Sequence, residues 1–277
     1  MKKLAHYFIL LFGIFIFVFF LIIPLIQSIF PTFLPVNGGF ENYSQFFKDD
    51  FYRGIFIRTL RISAIVTVLC FVLGLPTAYF VAGLSKSKKS LLMAAILFPL
   101  LTNSVIRSFA WINILGRNGV INNFLLQIGL INQPLTMLYT EFSIIVGSIY
   151  LFLPTMILTL VGVLETIEGE IFEAAQTLGA SSFTVFRKII LPLSIPGAIV
   201  GSILVFTGTL TAYTTPQLLG GNQRMMMATF LYQRATTLGD WNSASVIALI
   251  LIISTVIVMK LMDLFAAKLD KRGALNA

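Results

Sequence analysis

Few side chains in this sequence are placed to do covalent or metal chemistry. The only histidine is His6 and the only cysteine is Cys70, so no Cys–His nucleophile, Ser–His–Asp set or Cys/His metal cluster can be assembled. A glycine-rich loop ending in Gly-Lys-Ser or Gly-Lys-Thr, the cradle for nucleotide phosphates, is also absent. The chain is therefore expected to bind no cofactor or metal and to hydrolyse no nucleotide itself. What remains are polar and aromatic side chains set into apolar sequence: Asn103, Ser104, Arg107 and Trp111 in one run, Tyr150 in another, Thr209, Thr211 and Tyr213 in a third. Their chemistry is recognition of a solute.

One polar stretch, Glu165 to Pro196, has a helical design of its own. Ile171, Ala174, Ala175 and Leu178 recur at the i, i+3, i+4, i+7 spacing of one helix face. Glu168, Glu170 and Glu173 load its first turns with negative charge, which the helix dipole favours. Gly179 sits where a left-handed cap ends such a helix, and Ser181 or Ser182 is placed to cap a second one running through Phe186 toward Leu191. Two helices meeting at a glycine corner are expected.

The elements that must position these residues are membrane spans. With 57 % hydrophobic and 11 % charged residues and a mean hydropathy of +0.94, the chain is too apolar for a water-soluble domain, which carries about 25 % charged residues. Its apolar runs reach roughly 20 residues, enough to cross a bilayer core as helices. Six are expected: Phe8 to Phe30, Thr59 to Leu84, Leu91 to Leu115, Phe142 to Leu164, Ile195 to Leu218 and Ser243 to Met262. Pro76 and Pro154 are expected to kink the second and fourth, and the third is expected to be broken by Pro99 and interrupted by Asn103, Ser104 and Arg107. The first lacks a small-x-small cleavage site and reads as an uncleaved span. Residues from about Pro31 to Ile57 read as an outer loop with a short interfacial helix near Tyr43 to Phe47. Gly116 to Glu141 reads as a second outer segment with a short helix from Ile121 to Leu130. The whole of residues 1–277 is read as a single all-α membrane domain.

Basic residues fix the expected orientation. The net charge of +8 does not form a nucleic-acid stripe, because its members cluster at span ends. Lys86, Lys88 and Lys89 in one short turn, and Lys268, Lys271 and Arg272 after the last span, place those turns and both termini in the cytoplasm. Cys70, inside an apolar run, reads as a buried structural thiol. Arg107 is the one ionisable residue placed well inside a span, and two roles are open to it: lining a path, or a structural one in which it bonds backbone carbonyls freed by Pro99 or lies near enough to the surface to snorkel. The threonines from Thr207 to Thr215 are equally open to a path or to helix packing. An ion-coupled secondary transporter needs carboxylates or histidines at membrane depth, and here Glu141, Asp240 and Asp263 all fall at span edges.

The polar stretch also carries a signature. Glu173, Ala174 and Ala175, then Gly179, then Ile189, Leu191 and Pro192 match the order of the EAA loop, and the chain resembles the EAA-loop permeases of ATP-binding-cassette (ABC) importers. More specifically, Ser104 to Trp111, Leu115 to Asn122 and Thr215 to Gly221 are similar to the B-type subunits of the spermidine/putrescine permeases. Related permeases for ferric iron, opines and aminoethylphosphonate look similar in the same places.

The resemblance implies a type I, MetI-like permease fold in the inner membrane. It implies residues 165–194 as a cytoplasmic coupling loop that docks in an ATPase cleft, with Glu173 meeting a basic group and Ala174 and Ala175 allowing close approach. It also implies a C-type second permease, two ATPase subunits that use ATP and Mg, and an external substrate-binding protein.

Overall fold

The computed structural model describes residues 2–34, 38–166, 177 and 179–269. Among them every regular element is helical. The chain forms two compact units, residues 1–54 with 230–253, and residues 55–229 with 254–277.

The first unit opens with α1, Lys2–Phe17, which runs through a π turn at Val18–Ile22 into α2, Ile23–Ile29, and a 3-10 turn at Phe30–Phe33. The π turn ends two residues before Pro24, the second residue of α2. Proline has no N–H and its ring collides with the carbonyl a turn earlier, so the helix widens there and continues. The most apolar 18 residues of the stretch Leu10–Phe33 include none that is buried within the chain, whereas Thr32 at its end is fully buried. Thr32 bonds the Tyr43 hydroxyl at 2.5 Å, which brings the 3-10 turn to α3, Phe40–Lys48. Ser28 bonds Ser245 at 3.1 Å. Tyr52 packs on Phe230 with ring centroids 5.1 Å apart, and Arg234 donates to the Tyr52 hydroxyl.

The helix α4, Asp50–Ala82, starts earlier than the expected Thr59. The side chain of Asp49 accepts from the Phe51 backbone N–H at 2.8 Å and launches it, so Asp50 to Ile57 is helix and not outer loop. Pro76 lies inside this helix, and Pro154 inside α8, Glu141–Leu164.

The second unit is built around α8. Its Met156, Ile157, Leu160 and Val161 are buried with Ile62, Val66, Cys70 and Leu75 of α4 and with Val205 of α9, Ile195–Thr211. Cys70 is fully buried. α8 and α9 approach closely because glycines face the contact. A Cβ on Gly201 would stand 2.5 Å from Thr159 Oγ1 and 2.6 Å from Met156 Sδ, and one on Gly197 3.0 Å from the Thr159 carbonyl oxygen. Small residues at such contacts let helix backbones meet where no water drives association.

Two expected spans are broken. The third divides into α5, Lys86–Leu101, and α6, Ser104–Leu115, and the helical stretches on the two sides of the break lie at 94°. The fifth ends at Thr211, and a separate helix, α10, covers Thr214–Gly220. Helix α7, Val120–Gln127, stands where a short helix was expected after Gly116. After α11, Met227–Tyr232, the last helix, α12, extends over Trp241–Leu269, longer at both ends than the expected span. Among the described residues four helices are long and apolar enough to cross a membrane, and up to six spans result when two bent pairs, Lys86–Leu101 with Ser104–Gln127 and Phe183–Leu193 with Ile195–Thr211, each count as one.

Candidate functional site

Glu173, Ala174 and Ala175 lie outside the described residues. The C-terminal half of the same signature is described. Gly179 has φ +81° with open space around the position a Cβ would take, so its backbone angle and not crowding selects glycine. Ser181 Oγ then accepts from the Thr184 N–H at 3.3 Å and caps a helical turn over Ser182–Val185. A π turn at Phe186–Ile190 follows, again immediately before a proline-containing turn, Leu191–Leu193. Val185 and Ile190 are buried in the main core, Ile189 and Leu191 pack against it, and Pro192 is exposed. Full burial out of water, as for Val185 and Ile190, contributes roughly 1.5–3 kcal/mol per aliphatic side chain. The Phe186 ring meets Tyr79, near the end of α4, edge to face at 5.8 Å. This half of the signature is a hydrophobic root, and Gly179 marks where the chain leaves it.

At the start of the same stretch, Glu165 Oε1 accepts from Lys89 Nζ at 2.7 Å. Lys89 was legible only as a mark of orientation; nothing in the sequence pairs it with a residue 76 positions away.

The break between α5 and α6 is hydrogen-bonded throughout. Asn103 accepts from the Val105 N–H at 2.9 Å and the Ile106 N–H at 3.3 Å, an N-cap for α6. Thr102 Oγ1 donates to the Pro99 carbonyl at 2.8 Å. Arg107, 8 % exposed, donates from Nη1 to the Pro99 carbonyl at 2.7 Å, the Thr102 carbonyl at 3.3 Å and Thr102 Oγ1 at 3.4 Å. Of the two roles open to Arg107, carbonyl bonding is therefore the one its geometry favours. Pro99's own carbonyl is among its acceptors, left without a partner in the helix because α5 stops two residues later. Ser104 is half-buried, and its carbonyl accepts from Ser108 Oγ at 2.8 Å.

Beyond the break, Trp111 stands edge to face with Tyr150 of α8, ring centroids 5.7 Å apart. α6 also packs against α10, which Tyr213 precedes as N-cap residue. Thr209 is wholly buried and donates to the Val205 carbonyl at 2.8 Å; Thr211 is exposed and donates to the Thr207 carbonyl at 2.9 Å. Those hydroxyls are bonded to carbonyls of their own helix. α10 is clamped to α8 by a bond the sequence did not announce: Ser143 Oγ donates to the Leu219 carbonyl at 2.9 Å. The structure thus brings Arg107, Trp111 and Tyr150 to one region of α6 and α8, with α10 packed on the same two helices.

Apolar spans bent at hydrogen-bonded breaks, with aromatic and polar groups beside the breaks, fit a membrane transport subunit. The chain belongs to the family of binding-protein-dependent transport system inner membrane components, whose model matches residues 4–273. It is a non-catalytic permease subunit of an ABC importer with the type I, MetI-like fold. Among its relatives is the spermidine/putrescine transport system permease protein PotB of Haemophilus influenzae, 30 % identical over 240 residues that cover 84 % of each chain. PotB of Escherichia coli strain K12 is 31 % identical over 210 residues, 76 % of each chain. A bacterial ABC transporter involved in import of the acidic polysaccharide alginate contains a chain of the same fold. That chain matches with a TM-score of 0.80 and 18 % identity, covering 98 % of this chain and 97 % of that one.

Proposed function

We propose that this chain is the B-type permease of a polyamine importer, passing putrescine or spermidine across a bacterial cytoplasmic membrane. The observation that carries this reading is the 30 % and 31 % identity, over three quarters or more of both chains, to permeases named for spermidine/putrescine transport. The local chemistry is compatible. A polyamine is a flexible cation with an apolar spacer, and aromatic faces such as those of Trp111 and Tyr150 attract ammonium groups without requiring a buried acid. Arg107 does not oppose such a solute as a bare charge, since its guanidinium is directed to helix carbonyls.

In this reading residues 1–277 act as one permease domain with both termini in the cytoplasm, and residues 165–194 are its coupling loop. Glu173, Ala174 and Ala175 enter a cleft of an ATPase subunit, while Gly179, Ile189, Leu191 and Pro192 set the angle and root. The chain pairs with a C-type permease and two ATPase subunits, which bind the ATP and Mg, and it receives solute from an extracytoplasmic binding protein.

The test is uptake into proteoliposomes holding the complete complex and its binding protein. Radiolabelled putrescine or spermidine is expected to accumulate in an ATP-dependent manner. Accumulation of ferric iron, an opine or aminoethylphosphonate, with neither polyamine taken up, overturns the substrate assignment.

A further inference from the structure

We propose that Arg107 and the Lys89–Glu165 ion pair are positioning residues that carry movement of the loop at 165–194 to the aromatic pair Trp111–Tyr150. The inference rests on the reading of that loop as the ATPase-coupling element.

Three lysines, Lys86, Lys88 and Lys89, occupy the first turn of α5. Cations there oppose the helix dipole, so local helix stability does not account for them. Lys89 is the one of the three with an observed carboxylate partner among the described residues, and that partner, Glu165, is the C-cap residue of α8, where the loop begins. The pair is partly exposed, the two side chains 22 % and 44 % accessible. An ion pair of this kind biases a geometry and does not weld it, which suits a contact that must reset in every cycle.

From Lys89 the linkage runs along α5, a rod of 16 residues, about 24 Å at the helical rise. The rod ends in carbonyls that no helical N–H reaches. Arg107 answers them from the next helix: its Nη1 reaches back to Pro99 and Thr102. A cation belongs at a helix C-terminus and not in the first turns of one, so Arg107 is placed for α5 and against the interest of α6. Buried as it is, it cannot release those carbonyls without leaving a charge unpaired in an apolar setting. Arg107 is therefore the charged member of the set of side chains, with Thr102 and Asn103, that holds the angle between the two rods.

Trp111 lies four residues beyond Arg107, on the same face of α6, and its ring meets Tyr150. Tyr150 and Glu165 both belong to α8 and its cap. The bent pair α5–α6 thus forms a strut packed along one helix, with Met93 and Ile96 of α5 against its core and with an ion pair near the loop and an aromatic contact further along as its polar and ring ties. Displacing Glu165 loads the strut, and the fixed bend turns that load into movement of Trp111.

The experiment uses the complete complex in proteoliposomes and reads solute imported per ATP hydrolysed. The solute is radiolabelled putrescine, or whichever of the solutes named above the wild-type complex imports. Arg107→Gln and Lys89→Glu are each expected to lower the ratio about tenfold, within the usual range of coupling between sites. The charge exchange K89E/E165K is expected to restore it, which loss of fold would not allow. Arg107→Lys, which keeps a charged donor, is expected to fall between. Spin labels at Leu91 on α5 and Ile106 on α6 are expected to keep their separation on adding ATP in the wild type and to change it in Arg107→Gln.

A wild-type ratio in both Arg107→Gln and Lys89→Glu, while Glu173→Lys is uncoupled, overturns this inference and leaves the coupling loop standing. A coupled Glu173→Lys overturns both. If Arg107→Gln does not assemble, wild-type ratios in Arg107→Lys and Lys89→Glu overturn it equally.

Discussion

Arg61 Nη2 donates to Glu141 Oε2 at 2.5 Å, joining α4 to the first residue of α8. Arg58 Nε approaches the other carboxylate oxygen at 3.4 Å, and its Nη1 donates to the Met225 carbonyl at 3.1 Å. One acid therefore holds two arginines of α4 beside the N-terminus of α8, where negative charge is favoured. Glu141→Gln is expected to lower stability by about 0.5–1 kcal/mol, a small figure because the pair with Arg61 is half exposed. Thermal unfolding in detergent should show the difference from wild type narrowing as salt is raised. A difference that does not respond to salt argues against an electrostatic origin.

The contact at Gly201 admits no added atom. Gly201→Ala places a methyl group against Thr159 and Met156, and overpacking of this kind costs about 1–3 kcal/mol. Gly162 of α8 has open space at its Cβ position, so Gly162→Ala is expected to be neutral or slightly stabilising. Unfolding curves of the two variants side by side check whether crowding, and not glycine content, is responsible.

For Gly179 the expectation is different in kind. Its φ of +81° is the left-handed region, where a side chain costs about 1–2 kcal/mol, yet no neighbour crowds it. Gly179→Val is therefore expected to leave membrane insertion and assembly intact while lowering solute import per ATP hydrolysed. Unchanged coupling in reconstituted vesicles contradicts the loop assignment.

Asp240 gives a pH dependence whose sign follows from its surroundings. Burial raises its carboxyl, but hydrogen bonds from Ser243 and the neighbouring Arg234 outweigh that and hold it below the usual carboxylate range. Its Oδ1 accepts from the Ser243 N–H at 3.0 Å and so caps α12. A depressed folded value means the stabilisation is fully present above the unfolded value, about 3.9, and is lost as pH falls through the folded one. Asp240→Asn keeps an oxygen for the cap but loses the charge. It is expected to cost about 0.5–1 kcal/mol at neutral pH, with the difference from wild type shrinking in acid, as unfolding midpoints against pH will show.

Much of this fold was legible because lipid makes a simple demand. Runs of apolar residues long enough to span mark helices, and the six runs were placed correctly in order. The breaks were legible only in part: Pro99 and the polar residues from Asn103 marked an interruption of the third span, but not where its helix stops or what holds the bend. Thr102–Asn103 and Ala212–Tyr213 look like ordinary polar interruptions, and only the hydrogen bonds of Asn103, Thr102 and Arg107 show that the helix stops there. The start of α4 was misplaced because Asp49 and Asp50 read as loop residues, when Asp49 is the cap. Long-range pairs such as Lys89 with Glu165 and Ser143 with Leu219 leave no local signature, since each partner reads plausibly on its own. The signature from Glu173 to Pro192 lay in plain sequence, but the division of its described half into an exposed glycine and a buried root needed coordinates.

The buried position of Cys70 has a practical side. Its side chain has no exposed surface and is walled in by α4 and α8, so a bulky maleimide or methanethiosulfonate reagent has no approach to it in the folded chain. The native sequence is in effect already a blank for site-directed labelling. A cysteine introduced at any lipid-facing or loop position will report on its own, with no substitution needed in the core.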